Sequence, residues 1–147
     1  GIAHDLRRDA PYLKYAEVDF DVPAGEYGDS LDRYRVRVAE LRQSLRILEQ
    51  CVEPVGQAAS LPQIDAGKLP APLVVPPGET YVAVEGPRGE LGLTVVADGT
   101  DKPARMHLRG PSLYHLHLLD ELCRGYLLAD LFVILGSLDI MIGEVDR

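Results

Sequence analysis

Seven apolar side chains, Leu31, Tyr34, Val38, Leu41, Leu45, Leu48 and Val52, recur at alternating spacings of three and four. That repeat sets them along one face of an α-helix. About 22 residues at 1.5 Å each make residues 31–53 a rod of roughly 33 Å. Asp29 or Ser30 stands where a side-chain oxygen caps the first free amides. So apolar a face has to pack against another element. A coiled coil also fits the repeat, but the stripe is short and runs into proline-rich sequence, which favours packing within a helical bundle.

The remaining segments fill in around this rod. Residues 1–30 mix charge, aromatics and turn formers and read as an extended arm, with one alternation at 18–22 that suits a strand. Residues 54–78 carry prolines at 54, 62, 70, 72, 76 and 77, which remove backbone donors and exclude helix or central strand, leaving a long connection. Within residues 79–110, three β-prone stretches at 80–85, 90–97 and 104–109 are divided by Gly86-Pro87-Arg88-Gly89 and Asp98-Gly99-Thr100-Asp101. They predict an antiparallel meander. Residues 111–147 begin with a Pro111-Ser112 start signal and become apolar all round at 126–135, as in a buried C-terminal helix with a tail. The fold class is α+β in a single domain: arm, long packed helix, small β meander, buried C-terminal helix.

A chain of 147 residues is long enough to bury roughly 70% of its unfolded surface in one core without staples. Its net charge of −8, with no basic run interleaved with aromatics, argues against nucleic acid. Cys51 and Cys123 lack a nearby second cysteine and read as reduced, buried residues. Methionine occurs only at 106 and 141, and Gly1-Ile2-Ala3-His4 is neither basic nor a signal core, so the chain reads as part of a longer one. The apolar run at 126–142 is broken by Asp130, Gly136 and Asp139. It falls short of the roughly 20 apolar residues of a membrane span.

Chemistry-bearing patterns are sparse. His115 and His117, two apart on a helix, point to different sides and have no further ligand at metal spacing, so no metal site is expected. No phosphate loop or dinucleotide fingerprint occurs, and NAD should not bind this chain. No serine or cysteine stands in a nucleophile motif. Two residues stay unusual: Arg88 in a tight turn between strands, and Asp139 inside an apolar segment. On residue type alone they suit a solvated turn arginine and a capping or ion-paired aspartate.

A longer pattern then gathers. Gly1-Ile2-Ala3-His4-Asp5-Leu6-Arg7-Arg8-Asp9 with Pro11-Tyr12, then Asp32-Arg33-Tyr34, Gln43-Ser44-Leu45-Arg46-Ile47 and Glu85-Gly86-Pro87-Arg88-Gly89-Glu90-Leu91-Gly92 follow in order. Asp98-Gly99, Lys102-Pro103 and Leu135-Gly136-Ser137-Leu138-Asp139-Ile140-Met141-Ile142-Gly143-Glu144-Val145-Asp146-Arg147 complete the series. Collinear over nearly the whole chain, they resemble the C-terminal part of the 49-kDa-type subunit family of respiratory complex I. That family is related to the large subunit of nickel-iron hydrogenases, which implies a hydrogenase-large-subunit-like fold. Where the hydrogenase motif holds its metal through two cysteines, Asp139-Ile140-Met141-Ile142-Gly143-Glu144 offers no thiolate, so hydrogenase chemistry is not expected.

The resemblance implies a part in NADH-quinone oxidoreductase: electrons pass from NADH through other subunits to quinone, coupled to proton translocation. This chain would wall the quinone cavity beside an iron–sulfur cluster held in a neighbouring subunit, binding no cofactor itself. The family's headgroup tyrosine and histidine lie upstream of the matched segment, so the isolated piece is expected to be inactive. Asp139 becomes a cavity carboxylate that tunes or relays protons. Arg88 becomes a cation facing the cavity or cluster, and Arg147 an anchor at the subunit junction. The partners implied are the cluster-bearing and other complex subunits, the N-terminal half of the same subunit, and quinone, with the assembly peripheral on the cytoplasmic side of a bacterial inner membrane. The other reading is a non-catalytic interaction or assembly module with the same fold.

Overall fold

The computed structural model describes residues 1–57, 67 and 72–146. Long helix and β meander both form, giving a mixed α+β architecture. Helix α1 (Leu6–Asp9) and a 3-10 turn (Tyr15–Glu17) lie in the arm, and helix α2 spans Ser30–Gln57. Strands β1 (Gly78–Gly86), β2 (Gly89–Ala97) and β3 (Pro103–Arg109) follow. Four short helices close the chain: α3 (Pro111–His117), α4 (Leu119–Cys123), α5 (Asp130–Leu138) and α6 (Ile142–Val145).

Asp29 starts α2: its Oδ1 accepts the amide of Asp32 at 2.7 Å. Asp32 reaches backwards, and its Oδ2 accepts the amides of Glu26, Tyr27 and Gly28 at 2.7, 2.8 and 3.1 Å. These bonds, led by Gly28, hold its carboxyl below the usual carboxylate range. A carboxyl whose folded value lies below its unfolded one stabilises the fold fully above about pH 4 and loses that stabilisation as pH falls through the folded value. Protection of the Gly28 amide, relative to its intrinsic exchange, is therefore expected to hold from neutrality to about pH 4 and fade below it. Loss beginning near neutrality would contradict this.

The helix outruns its expected end, since Pro54 lies inside it. A proline loses its own amide bond and crowds the carbonyl four residues back, but with less than one turn following Pro54 the helix still runs on through Val55, Gly56 and Gln57. At 28 residues the rod is about 42 Å long. Its apolar stripe is not packed within a bundle of this chain's described residues: Leu31, Tyr34, Leu41, Leu45, Leu48 and Val52 are each more than half exposed. Helix α5 packs on a different face, where Arg33 Nε donates to Ser137 Oγ at 3.0 Å and a guanidinium nitrogen of Arg37 donates to the Ser137 carbonyl at 3.0 Å.

The alternation at 18–22 forms no strand. Side chains of α2 take the place of a neighbouring strand: the amides of Asp19 and Asp21 donate to Gln50 and Gln43 at 2.8 and 3.0 Å, and Gln50 donates back to the Asp19 carbonyl at 2.7 Å. Phe20 plugs the arm. It is 2% exposed, with the guanidinium carbons of Arg7 and Arg8 lying 4.8 and 4.2 Å from its ring centroid.

The sheet is antiparallel in the order β1-β2-β3. Gly86 pairs with Gly89, so Pro87-Arg88 is a two-residue hairpin turn. Gly89 has φ +137°, and a Cβ there would come within 3.2 Å of Pro111. Glycine alone meets both conditions.

The C-terminal segment departs most from expectation. Instead of one buried helix it breaks at Gly125 (φ +83°) and restarts at α5, where Ile134 and Leu138 are buried and Phe132 and Val133 are exposed. A helix apolar on every side has no preferred face, and among the described residues α5 packs mainly on α2 and α4. The core among the described residues is correspondingly small: Phe20, Ile134 and Leu138 are its buried apolar residues. Nor are the cysteines buried, for Cys51 is exposed and Cys123 half-buried, both as free thiols. No described helix is long and apolar enough to cross a membrane.

Candidate functional site

The hairpin turn, the arm, the polar face of α2 and the end of α5 surround a pocket of about 640 Å³. The two unusual residues meet there although 51 positions apart. Arg88 Nε donates to the Asp139 carbonyl at 2.8 Å and lies 3.4 Å from its carboxylate Oδ2. The arginine side chain is 21% exposed and the aspartate 40%: one sits fixed in the wall, the other half-open to the space. Asp139 caps α5 in the left-handed conformation, φ 53°, which residues with a Cβ rarely adopt. The ordinary sequence reading of a capping, ion-paired aspartate is thus also correct, whereas Arg88 is not a freely solvated turn residue.

Three further groups line the pocket, none singled out in the sequence. Arg7 grips Asp5 with both ends of its fork, at 3.0 Å from Nε to Oδ1 and 2.7 Å to Oδ2, both side chains being largely buried. Burial pushes the Asp5 carboxyl up, and the hydrogen bonds and charge of Arg7 outweigh it, so its value is lowered. Glu40, on the polar face of α2, goes the other way: burial raises its carboxyl, with Arg37 opposing. Burial thus disfavours its charged form.

Glu85 forms the third group. It accepts from Tyr12 at 2.7 Å and from Tyr15 through its other oxygen, and the two rings meet edge to face at 5.2 Å. The bond to Glu85, then burial, push the Tyr15 phenol up to about 12. The Tyr15 ring signal in a carbon-13 tyrosine titration is expected to move near pH 12 and, in a Glu85→Gln chain, closer to the ordinary value of about 10. An unmoved titration would remove Glu85 as the cause.

A second pocket of about 500 Å³ lies on the other side of Arg37 and Glu40, towards His115 and Leu118. His115 Nδ1 is buried there without a hydrogen-bond partner, and burial, followed by the charge of Arg37, lowers its value. Among the described residues no three His, Cys, Asp or Glu side chains group as a metal site. Arg147, the expected anchor, lies outside the described residues.

The family described as "Respiratory-chain NADH dehydrogenase, 49 Kd subunit" matches residues 1–147. The NADH-quinone oxidoreductase D subunit of Rhodopseudomonas palustris (strain HaA2) is 47% identical over all of this chain and 43% of its own length. That of Halorhodospira halophila (strain DSM 244 / SL1) is 44% identical over 100% and 40%. Among solved structures, a chain of the membrane-bound sulfane sulfur reductase, an archaeal respiratory membrane complex, superposes with a TM-score of 0.88 at 42% identity, covering all of this chain and 40% of that one. The chain thus spans about two fifths of the length of these relatives.

Proposed function

Because the chain belongs to the family of the 49-kDa subunit of the respiratory-chain NADH dehydrogenase, we propose that it forms part of the quinone-reducing site of a complex I-type oxidoreductase. In this reading the fold is the C-terminal part of a hydrogenase-large-subunit-like subunit. The Arg88–Asp139 pocket is a wall of the quinone cavity. The observation that carries it is the meeting of a held cation and a half-open carboxylate in a space of about 640 Å³.

Reducing a quinone to its quinol takes two electrons and two protons. In this reading electrons reach the pocket from an iron–sulfur cluster carried by a neighbouring subunit, which is fed by the NADH-oxidising part of the complex. This chain's own part is protonic and electrostatic. Asp139 passes protons at the pocket's edge, Arg88 holds it in place and offers a fixed positive charge to a quinone oxygen that becomes negative on reduction, and Glu40, its carboxyl raised by burial, stands behind them. Proton translocation belongs to the assembled complex, bound at the cytoplasmic side of the membrane through its partner subunits.

Asp139→Asn in the assembled complex tests this. It is expected to lower quinone-dependent turnover by about tenfold, leaving NADH oxidation by an artificial acceptor unchanged. Equal loss of both activities would point to misassembly, and loss of neither would contradict a role in quinone reduction.

A further inference from the structure

Ser112, the second residue of α3, is completely buried. Its hydroxyl is used twice: Oγ donates to Glu144 Oε2 and accepts the amide of Met141 at 3.1 Å. The Ser112 amide donates to the same Glu144 oxygen at 3.2 Å. Gly110, just before α3, lies so close to α6 that a Cβ there would stand 3.4 Å from that of Glu144. The start of α3 and helix α6 are thus clasped together, and the clasp falls two residues beyond Asp139.

Asp139 adopts a left-handed conformation, which carries a cost for any residue with a Cβ although aspartate tolerates it better than most. Something has to hold the chain on both sides of it. Before it, the Asp139 amide donates to the Gly136 carbonyl at 3.3 Å. After it, Arg88 takes the Asp139 carbonyl, and beyond Ile140 the amide of Met141 is taken by a hydroxyl whose proton is already committed to Glu144, which turns the oxygen's lone pair towards that amide.

We propose that Ser112, oriented by Glu144, is a positioning residue for Asp139: it fixes the backbone after the left-handed turn so that the carboxylate stays at the pocket's edge. This rests on the part proposed for Asp139 in quinone reduction. Ser112 touches no substrate itself and acts through the backbone of Met141.

The test uses Ser112→Ala, Asp139→Asn and their combination in the assembled complex, reading quinone-dependent kcat and KM together with hydrogen exchange at Met141. Ser112→Ala is expected to lower kcat about tenfold with KM unchanged, to speed exchange at Met141, and to add nothing to the loss caused by Asp139→Asn. An equal loss from Ser112→Ala in both backgrounds, or unaltered exchange at Met141, overturns the proposal. Full turnover of Asp139→Asn would instead remove the role of Asp139 in the reaction, and Met141 exchange then decides the clasp alone. Should Ser112→Ala not assemble, Glu144 carries the test: Glu144→Ala is expected to lose more turnover than Glu144→Gln, which keeps an acceptor oxygen, and equal losses overturn the proposal.

Discussion

Replacing Arg88 by methionine is expected to lower quinone-dependent turnover of the assembled complex by about 10- to 100-fold, the equivalent of roughly 1.5–3 kcal/mol for a hydrogen bond made by a charged group. The stem of methionine fills the hairpin turn about as well, so the loss falls on the guanidinium. Two things go with it: the grip on the Asp139 carbonyl at 2.8 Å, and the cation 3.4 Å from its carboxylate. Arg88→Lys separates the two. Both contacts run from Nε, so an ammonium keeps the charge without the guanidinium's fixed N–H direction towards the carbonyl, and an intermediate loss is expected. Full turnover in Arg88→Met, with assembly confirmed by native electrophoresis, would remove the pairing from the mechanism.

Phe20→Ala has the largest expected effect on stability. Truncating a buried phenylalanine costs about 3–5 kcal/mol, and here the ring also carries the guanidinium groups of Arg7 and Arg8. The consequence should stay local, since the ring's cationic partners belong to the arm itself. Hydrogen exchange in residues 5–21 is expected to rise by roughly a hundredfold or more, at about 1.4 kcal/mol per tenfold, with the sheet unaltered. Since Arg7 and its partner Asp5 line the pocket, quinone KM should rise as the arm loosens. Exchange that increases equally in strands and arm would show Phe20 to be part of one cooperative core instead.

Legibility in the sequence followed the range of the interactions. The long helix was readable because Leu31 to Val52 repeat at the helical period over several turns, and the strands because turn residues bracket β-prone runs. Pro54 misled because proline's cost depends on its place in the helix, which composition does not reveal. The C-terminal segment misled for another reason: an all-apolar run carries no period, so neither the break at Gly125 nor the covered face of α5 could be read from it. The exposure of the α2 stripe follows from what packs on the chain, which its own residues do not encode.

At the site, Arg88 and Asp139 stood out because each is the wrong kind of residue for its surroundings, and their resemblance to family motifs pointed the same way. Tyr12, Glu85 and Glu144 were in view only as members of motifs, and Tyr15 and Ser112 gave no signal of a site at all. Their pairings span 73, 70 and 32 positions, and each residue alone suits a strand, an arm or a helix start. Asp5 and Arg7 were in view as part of a motif, but their pairing and their place in the pocket needed the fold.

The most direct test of the central claim is photo-crosslinking of the purified complex with a quinone that carries a photoreactive headgroup, followed by mass spectrometry of this chain's peptides. Label is expected on peptides that line the pocket, those holding Asp5 to Tyr15 and Arg88, and it should be displaced by excess quinone. Displaceable label confined to peptides elsewhere, with none on this pocket, would contradict its assignment as a wall of the quinone cavity.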